Sequence, residues 1–381
     1  MDFELPEQHR ILRKTVREFC EREIKPFCKQ WDAEERFPTE IVPKLAAMGL
    51  LGIRVPEAYG GSGMDMLAYA ICVEECARVD GSLALTVASH NGLGAGHVLS
   101  FGTEEQKRKY LPKAASGEWL AAWALTEPGS GSDAAALKTT AERVDSGWRL
   151  NGSKMFITQG SVGGFCVVLA RTNPSVSAQH GITAFIVPTD TPGYLLGKKI
   201  HKYGCRWSDT VEVTLENVQV ADQERLGDVD GGFRDTMRVL DGGRVSIGAM
   251  ALGLGRGALN MAVEYAKQRS AFGQPIQDFQ AIQWMLADAR TGLDAAELLV
   301  HRAAWLCDRG ERFTLEASMA KLFASEVATK VCNDSLQIHG GYGYTREFDV
   351  ERHLRDVKLC EIGEGTSQVQ RMLIAKRILR E

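Results

Sequence analysis

Phe165-Cys-Val-Val-Leu-Ala170 is an unbroken apolar run at the centre of a segment unlike the chain on either side of it. From Trp119 to about Val220, short stretches rich in β-branched and aromatic residues alternate with turn dipeptides, a texture that predicts strands. Ile182 to Pro188 and Val211-Glu-Val-Thr-Leu215 read as further strands. Asp145-Ser-Gly147 and Asn151-Gly152 read as turns that bracket a short one, Trp148-Arg-Leu150. Outward from this unit the pattern changes. All eleven prolines lie at or before Pro275, and a proline inside a helix removes a hydrogen bond and adds a clash. Ile276 to Glu381 has none and repeats apolar residues at three- and four-residue steps, with Leu286, Leu293, Leu298, Leu306, Leu322, Val327, Val331 and Leu336 on such stripes. That pattern predicts long packed helices. Toward the N-terminus, Leu12, Val16, Phe19 and Phe27 form a similar stripe. The proline-free stretch from Glu57 to Leu111 is punctuated by Tyr59-Gly-Gly-Ser-Gly63, Asp80-Gly81 and Phe101-Gly102, which mark helix boundaries. Runs of one element type form separate layers or domains. The expectation is an α+β multidomain chain: an N-terminal α-helical domain over 1–118, a middle β domain over 119–230 and a C-terminal α-helical bundle over 231–381.

The chain has 381 residues, with 45 Lys and Arg against 49 Asp and Glu and a formal charge of −4. Its pI is about 6.1 and its mean hydropathy −0.17. That length buries a substantial core without staples. The near-neutral balance offers no basic face for nucleic acid or an anionic membrane, and no stretch approaches eighteen consecutive apolar residues. The nine cysteines are odd in number, scattered, and never spaced C-x-x-C, which speaks against a disulfide framework or a zinc site. Residues 1–30 carry charges throughout and hold no apolar signal core. The expectation is a reduced, cytoplasmic protein, with a processed mitochondrial form as the alternative.

Glycine-rich phosphate loops are not supported. Gly253-Leu-Gly-Arg-Gly257 and Gly92-Leu-Gly-Ala-Gly96 lie in helical patterns with no preceding strand, and Gly193 to Lys199 misses the P-loop spacing. Such glycines are expected to let helices approach closely. His90 and His97 share a helical face but have no third clustered ligand, so no metal is expected. No Gly-x-Ser-x-Gly elbow exists. Two segments remain. Leu125-Thr-Glu-Pro-Gly-Ser-Gly-Ser-Asp133 follows an apolar strand and gathers hydroxyls, glycines and amides into a turn that can wrap a polar ring or a phosphate. Taken alone it reads as an ordinary loop. Glu361-Ile-Gly-Glu-Gly-Thr-Ser-Gln-Val-Gln-Arg371 sets Glu364 between two glycines ahead of a helix starting near Thr366. The glycines leave room for close approach, Thr366 or Ser367 is the expected N-cap, and a helix N-terminus favours anions. Spacing alone favours a solvent-facing interhelical loop.

With further segments in the same order, these two resemble the acyl-CoA dehydrogenase family over nearly the whole chain. Lys154-Met-Phe-Ile-Thr-Gln159 is similar to the family's flavin-wall strand, Gly204-Cys-Arg-Trp-Ser-Asp-Thr210 to its pre-strand turn, and Arg269-Ser-Ala-Phe-Gly273 to its intersubunit FAD segment; Gln337-Ile-His-Gly-Gly-Tyr-Gly343 follows. The resemblance implies a middle β-barrel or sandwich, a C-terminal four-helix bundle, and FAD-dependent α,β-dehydrogenation of an acyl-CoA thioester. A carboxylate removes the α-proton while the β-hydrogen passes as hydride to flavin N5, giving the trans-2-enoyl-CoA, and electrons go on to an electron-transfer flavoprotein. By the same resemblance Glu364 matches the catalytic base, and its backbone N–H joins a ribityl hydroxyl in holding the thioester oxygen. Ser132, Asp241, Arg244 and Gly365 match substrate contacts. Leu125, Thr126 and Ser132 match the turn around the flavin ring and pyrophosphate, Phe156 and Thr158 the wall beside the ring, and Thr366 and Gln368 the phosphate contacts. Arg269, Phe272, Gln280, Gln337, Gly340 and Gly341 match contacts to the FAD of a neighbouring subunit, which implies a homotetramer built as a dimer of dimers.

Some family members carry the base on the first long C-terminal helix; the matching position here is Gly243, which has no carboxylate. Phe156 stands where many members have tryptophan, Gln159 where asparagine is usual, and Gly363 where straight-chain enzymes often have tyrosine. The first two are expected to tune the flavin or the docking of its partner, and the third to open space for a branched or cyclic acyl group. The expectation is a dehydrogenase for a short- to medium-chain or branched acyl-CoA. An acyl-CoA oxidase is disfavoured by length, a flavin monooxygenase by the Glu364 carboxylate, and a non-catalytic nucleic-acid-binding relative by charge.

Overall fold

The computed structural model describes residues 4–380. Its first part is helical: α1 (Glu7–Glu23), α2 (Cys28–Glu34), α3 (Val42–Ala47), α4 (Met66–Ala77), α5 (Gly81–Ala88), α6 (Ala95–Phe101) and α7 (Glu104–Ala115). The expected punctuation has a physical basis. The Asp80 carboxylate accepts from the N–H groups of Ser82 and Leu83 and so caps α5, and Gly102 follows the end of α6. Between α5 and α6, residues Ser89–Gly94 widen into a π-helix. Val16 and Phe19 are buried as the α1 stripe requires, but Phe27 is exposed, because it follows Pro26 in a 3₁₀ turn beyond the helix end.

The middle of the chain is one sheet built from β1 (Leu120–Ala124), β2 (Thr140–Val144), β3 (Gly147–Thr158), β4 (Gly163–Arg171), β5 (Ile182–Pro188), β6 (Tyr194–Lys199), β7 (Thr210–Val220) and β8 (Arg225–Leu226). The strand order is β6-β7-β3-β2-β4-β5-β8, and β1 pairs parallel to β4. β4 explains its own sequence. Phe165, Val167 and Leu169 pack toward Tyr110, Leu111 and Ala114 of α7, whereas Cys166, Val168 and Ala170 pack toward Trp148, Phe185 and Tyr194 within the sheet's own core. A strand covered on both faces has no position left for a polar residue. Asn151-Gly152 does not turn the chain as expected. It lies inside β3, where the register against β7 shifts between Leu150 and Gly152, and a Cβ at Gly152 would collide with Thr139.

The last part comprises α8 (Gly232–Gln268), a hairpin of β9 (Ser270–Ala271) and β10 (Gln274–Pro275), α9 (Gln280–Asp308), α10 (Thr314–His339), α11 (Val350–Val357) and α12 (Ser367–Ile378). Leu293 and Val331 face inward, but Leu298 is exposed, as are Trp284 and Trp305 on the same helix. The inner faces are lined instead by small residues, among them Ala296 and Ala303 of α9 and Ala317, Ala320 and Ala324 of α10. Glycines on α8 continue that pattern. A Cβ at Gly253 would overlap the Glu74 carbonyl oxygen of α4 and stand 2.7 Å from Ala77 Cβ. One at Gly257 would overlap the Arg78 carbonyl oxygen. Ion pairs cross the same contacts: Arg256 donates to Glu297 at 2.8 Å and to Glu74, and Arg13 donates to Glu297 at 3.0 Å. All nine cysteines are unpaired, eight of them buried and Cys307 half-buried. Among the described residues no helix is long and apolar enough to cross a membrane.

Gly253→Ala is expected to cost about 1–3 kcal/mol, because backbone on α4 must move to admit a methyl group. Ile11→Ala, on the exposed face of α1, is expected to stay within about 0.5 kcal/mol. Denaturant midpoints of the two variants check the contrast.

Candidate active site

Glu364 sits in the turn between the 3₁₀ segment Lys358–Glu361 and α12, and its backbone is left-handed at φ 52°. Few side chains adopt that region, so the turn has to be held. Gly365 follows at φ 95°. Gln370, itself buried, donates through Nε2 to the Gly365 carbonyl at 2.9 Å and to the Glu364 carbonyl at 3.4 Å. The Lys321 ammonium of α10 donates to the same Gly365 carbonyl. Thr366 caps α12, its hydroxyl accepting from Val369 N–H at 3.2 Å.

The carboxylate points toward α8. A Cβ added at Gly243 would overlap Glu364 Oε2, so the carboxylate occupies the space that a side chain at 243 would fill. The same hypothetical Cβ would lie 3.4 Å from Leu93 in the π-helix. Glu364 keeps part of its surface exposed as a residue, yet its Oε2 is shielded and has no hydrogen-bond partner among the described residues. Burial pushes the carboxyl up to about 7 against the pull of Lys321 and Arg244. Arg244 is buried and pairs with Asp241, which also accepts from the Thr314 hydroxyl at 2.6 Å. Burial raises the Asp241 carboxyl above the usual range, opposed by Arg244. A buried, unpartnered carboxylate of raised proton affinity, with two cations nearby, has the chemistry of a general base or acid.

A second group of predicted residues meets at the end of β1. Thr126 follows that strand, and its carbonyl accepts from Met155 N–H at 2.9 Å, which sets the Leu125–Asp133 turn against the last residues of β3. Phe156, with φ 61°, turns outward there and is 61% exposed. Thr158 ends the strand. Ser132 is exposed in the turn. Gln159 is buried and donates to the Thr86 carbonyl of α5 at 3.0 Å, so its amide joins β3 to the helix leading into the π segment.

A third group lies apart. Arg269, Gly340 and Gly341 line a cleft of about 510 Å³ with Tyr265, Ile338 and Tyr342. Neither Glu364 nor any residue of the Leu125–Thr158 group lines it. Phe272, at the tip of the β9–β10 hairpin, is 96% exposed, and Gln280 is exposed at the start of α9. Gln337 lies in the last turn of α10, and Gln368 is exposed on α12.

Lys321, Gln370, Lys154 and Glu127 escaped the sequence reading. Lys154 is buried and donates to Glu127 at 2.9 Å and to the Leu125 carbonyl at 3.2 Å. Glu127 also accepts from Lys138 N–H at 2.6 Å and Thr139 N–H at 2.9 Å. Burial works against the Glu127 charge, but Lys154 and these N–H groups outweigh it and hold the carboxyl below the usual range. A lysine amid the inward alanines of α10, and another in a strand next to a turn containing a glutamate, were the available signals.

His90 and His97 are spent on structure. His90 bridges the Leu51 carbonyl and Ala121 N–H, and His97 Nδ1 accepts from the Trp123 indole at 3.1 Å. Burial lowers them to about 4 and about 3.

Comparison with known proteins gives this arrangement a family. The acyl-CoA dehydrogenase N-terminal, middle and C-terminal domain models match residues 6–118, 122–218 and 230–379. The chain is 45% identical to the mitochondrial short-chain specific acyl-CoA dehydrogenase of Bos taurus, over 99% of this chain and 91% of that protein. It is 44% identical to the caffeyl-CoA reductase–Etf complex subunit of Acetobacterium woodii, over 98% of this chain and 99% of that protein. The solved butyryl-CoA dehydrogenase of Megasphaera elsdenii superposes with a TM-score of 0.97 at 41% identity, each chain covered in full. The chain belongs to the acyl-CoA dehydrogenase family and is an oxidoreductase.

Glu127→Gln leaves the Lys154 ammonium buried without its counter-charge and is expected to cost about 3–5 kcal/mol. Denaturant titration of the variant checks it.

Proposed function

We propose that this chain catalyses FAD-dependent α,β-dehydrogenation of a short- to medium-chain or branched acyl-CoA, with Glu364 as the base that removes the α-proton. The observation that carries the proposal is the shielded, unpartnered Glu364 Oε2 set against Gly243. With no side chain at 243, the carboxylate has room, and a substrate passing between the π-helix and the turn meets it directly. Burial raises its proton affinity, which matches a base to a weakly acidic carbon acid, while Lys321 and Arg244 keep the anion accessible. The Glu364 N–H is the candidate donor to the thioester oxygen, whose polarisation acidifies the α-carbon. Arg244 and Asp241, Ser132 and Gly365 are the candidate substrate contacts.

The residues present fit a flavin dinucleotide. The outward Phe156 ring and the Leu125–Asp133 turn form an open wall, and a Cβ at Gly129 or Gly131 would meet nothing within 4 Å. Leu125, Thr126, Ser132, Phe156 and Thr158 would hold the ring end, and Thr366 and Gln368, at the α12 N-terminus, the phosphates. Bound FAD supplies the two-electron sink that takes the β-hydrogen as hydride. The cleft beside Arg269, Gly340 and Gly341 would take part of a neighbouring subunit's FAD. The exposed Phe272, Trp284, Leu298 and Trp305 support a homo-oligomer, read here as a tetramer. The caffeyl-CoA reductase relative belongs to an Etf complex, which supports an electron-transfer flavoprotein as partner.

The short-chain and butyryl-CoA relatives support the lower end of the chain-length range. At Gly363, a Cβ would have no neighbour nearer than 3.4 Å, which leaves space for branching.

Glu364→Gln is expected to retain FAD and bind acyl-CoA but to lose anaerobic flavin reduction by several orders of magnitude. Reduction at a near wild-type rate refutes the base. In the wild-type enzyme the rate of reduction is expected to fall as pH drops through about 7, where the Glu364 carboxyl takes up its proton. A thioester panel should bleach the flavin fastest with butyryl-, hexanoyl- or isobutyryl-CoA, and fastest bleaching by palmitoyl-CoA would refute the substrate range.

A further inference from the structure

Lys321 is fully buried on α10, in a stripe otherwise made of small residues: Ala317, Ser318, Ala320, Ala324 and Ser325. A buried ammonium carries a large desolvation cost, and nothing in helix packing requires one here, since the neighbouring positions are filled by alanine and serine. Its hydrogen-bond partner is the Gly365 carbonyl, on the residue after Glu364. The turn that presents this carbonyl has positive φ at both Glu364 and Gly365, and the Gln370 amide donates to the same oxygen at 2.9 Å.

We propose that Lys321 is a positioning residue for the base: its ammonium, anchored on the Gly365 carbonyl, clamps the left-handed turn that aims Glu364 at Gly243 and supplies a positive charge one residue from the carboxylate's own. The inference rests on Glu364 being the base. Gln370 clamps the same carbonyl without charge, so the turn has a neutral and a cationic support, and only the cationic one acts on ionisation.

The charged and titratable groups around Glu364 come from four elements. They are Lys321 of α10, Arg244 of α8 with Asp241 paired to it, Tyr69 of α4, and Cys360 and Glu361 of the segment leading into the turn. Of the two cations, Arg244 has an acidic partner within its own helix turn, whereas among the described residues the ammonium of Lys321 bonds only to a neutral carbonyl. Burial lowers Lys321 to about 8, which leaves it mostly protonated at neutral pH.

The test compares Lys321→Met, Lys321→Gln and Lys321→Arg holoenzymes with wild type, by anaerobic rapid-mixing reduction with butyryl-CoA as a function of pH and by FAD content. Removing the positive charge favours the protonated carboxyl. The acid limb of the reduction rate is therefore expected to move to higher pH by about one unit in the Met and Gln variants and to stay at the wild-type position in the Arg variant. Gln keeps a donor for the carbonyl without the charge, so it carries the test if the Met variant is not recovered as holoenzyme. An unmoved limb in the Met or Gln variant, even with a slower rate, refutes the proposal, because a merely structural lysine changes the rate without changing the pH dependence. Failure of the parent reading is separate: it is seen in Glu364→Gln, whose flavin would then be reduced at a near wild-type rate.

Discussion

Helix α8 runs unbroken for 37 residues, about 55 Å, and its neighbours reach it where side chains are missing. Gly253 admits the backbone of α4, Gly257 the Arg78 carbonyl just past its end, Gly255 admits Leu293 of α9 and Ala328 of α10, and Gly232 admits the backbone of β5. Because the interior is close-packed, each approach fixes the helix that makes it. Gly243 is one more member of this series, and what it admits is a carboxylate. The Glu364 turn is thereby positioned by the same device that assembles the bundle. An active group located by close packing on a long rigid helix is held more precisely than one carried by a loop alone.

The site also shows how an unfavourable backbone is retained. The positive φ of Glu364 costs conformational energy, whereas Gly365 adopts its own freely, and the carbonyls of both residues lie outside regular helix or sheet. Gln370 and Lys321 satisfy them from α12 and α10. The Leu125–Asp133 turn follows the same logic in another element, where the buried Lys154 bonds to the Leu125 carbonyl and to Glu127. In both places a buried lysine finishes a turn whose own backbone groups have no partner in regular structure.

Much of this was legible in the residues. Proline placement and the β-branched texture separated helical from sheet regions, since both report backbone preferences that tertiary packing overrode only locally, as at Pro112 inside α7. The Glu364 turn and its Thr366 cap were visible because glycines and a hydroxyl have local roles. Other features depend on contacts distant in sequence. Asn151-Gly152 carries a turn signature, yet the pairing of β3 with β7 absorbs it as a register shift. Leu298 fits an apolar stripe, yet α9 turns its alanines inward and leaves that leucine outside, because close helix approach selects small residues. The bond from Lys321 to Gly365 spans 44 residues, and although a lysine among the alanines of α10 stands out locally, nothing in the sequence names its partner.

The nine unpaired cysteines are distributed through the layers in a useful way. Cys20, Cys72 and Cys76 lie between the first helices, Cys166 inside the sheet, Cys205 in the turn leading to β7, and Cys332 and Cys360 within the C-terminal bundle. A sealed thiol reacts with an aqueous reagent only during a transient opening of the structure around it. Each layer therefore contains its own chemical clock, and the order in which these positions become modified under native conditions records which part of the molecule opens first.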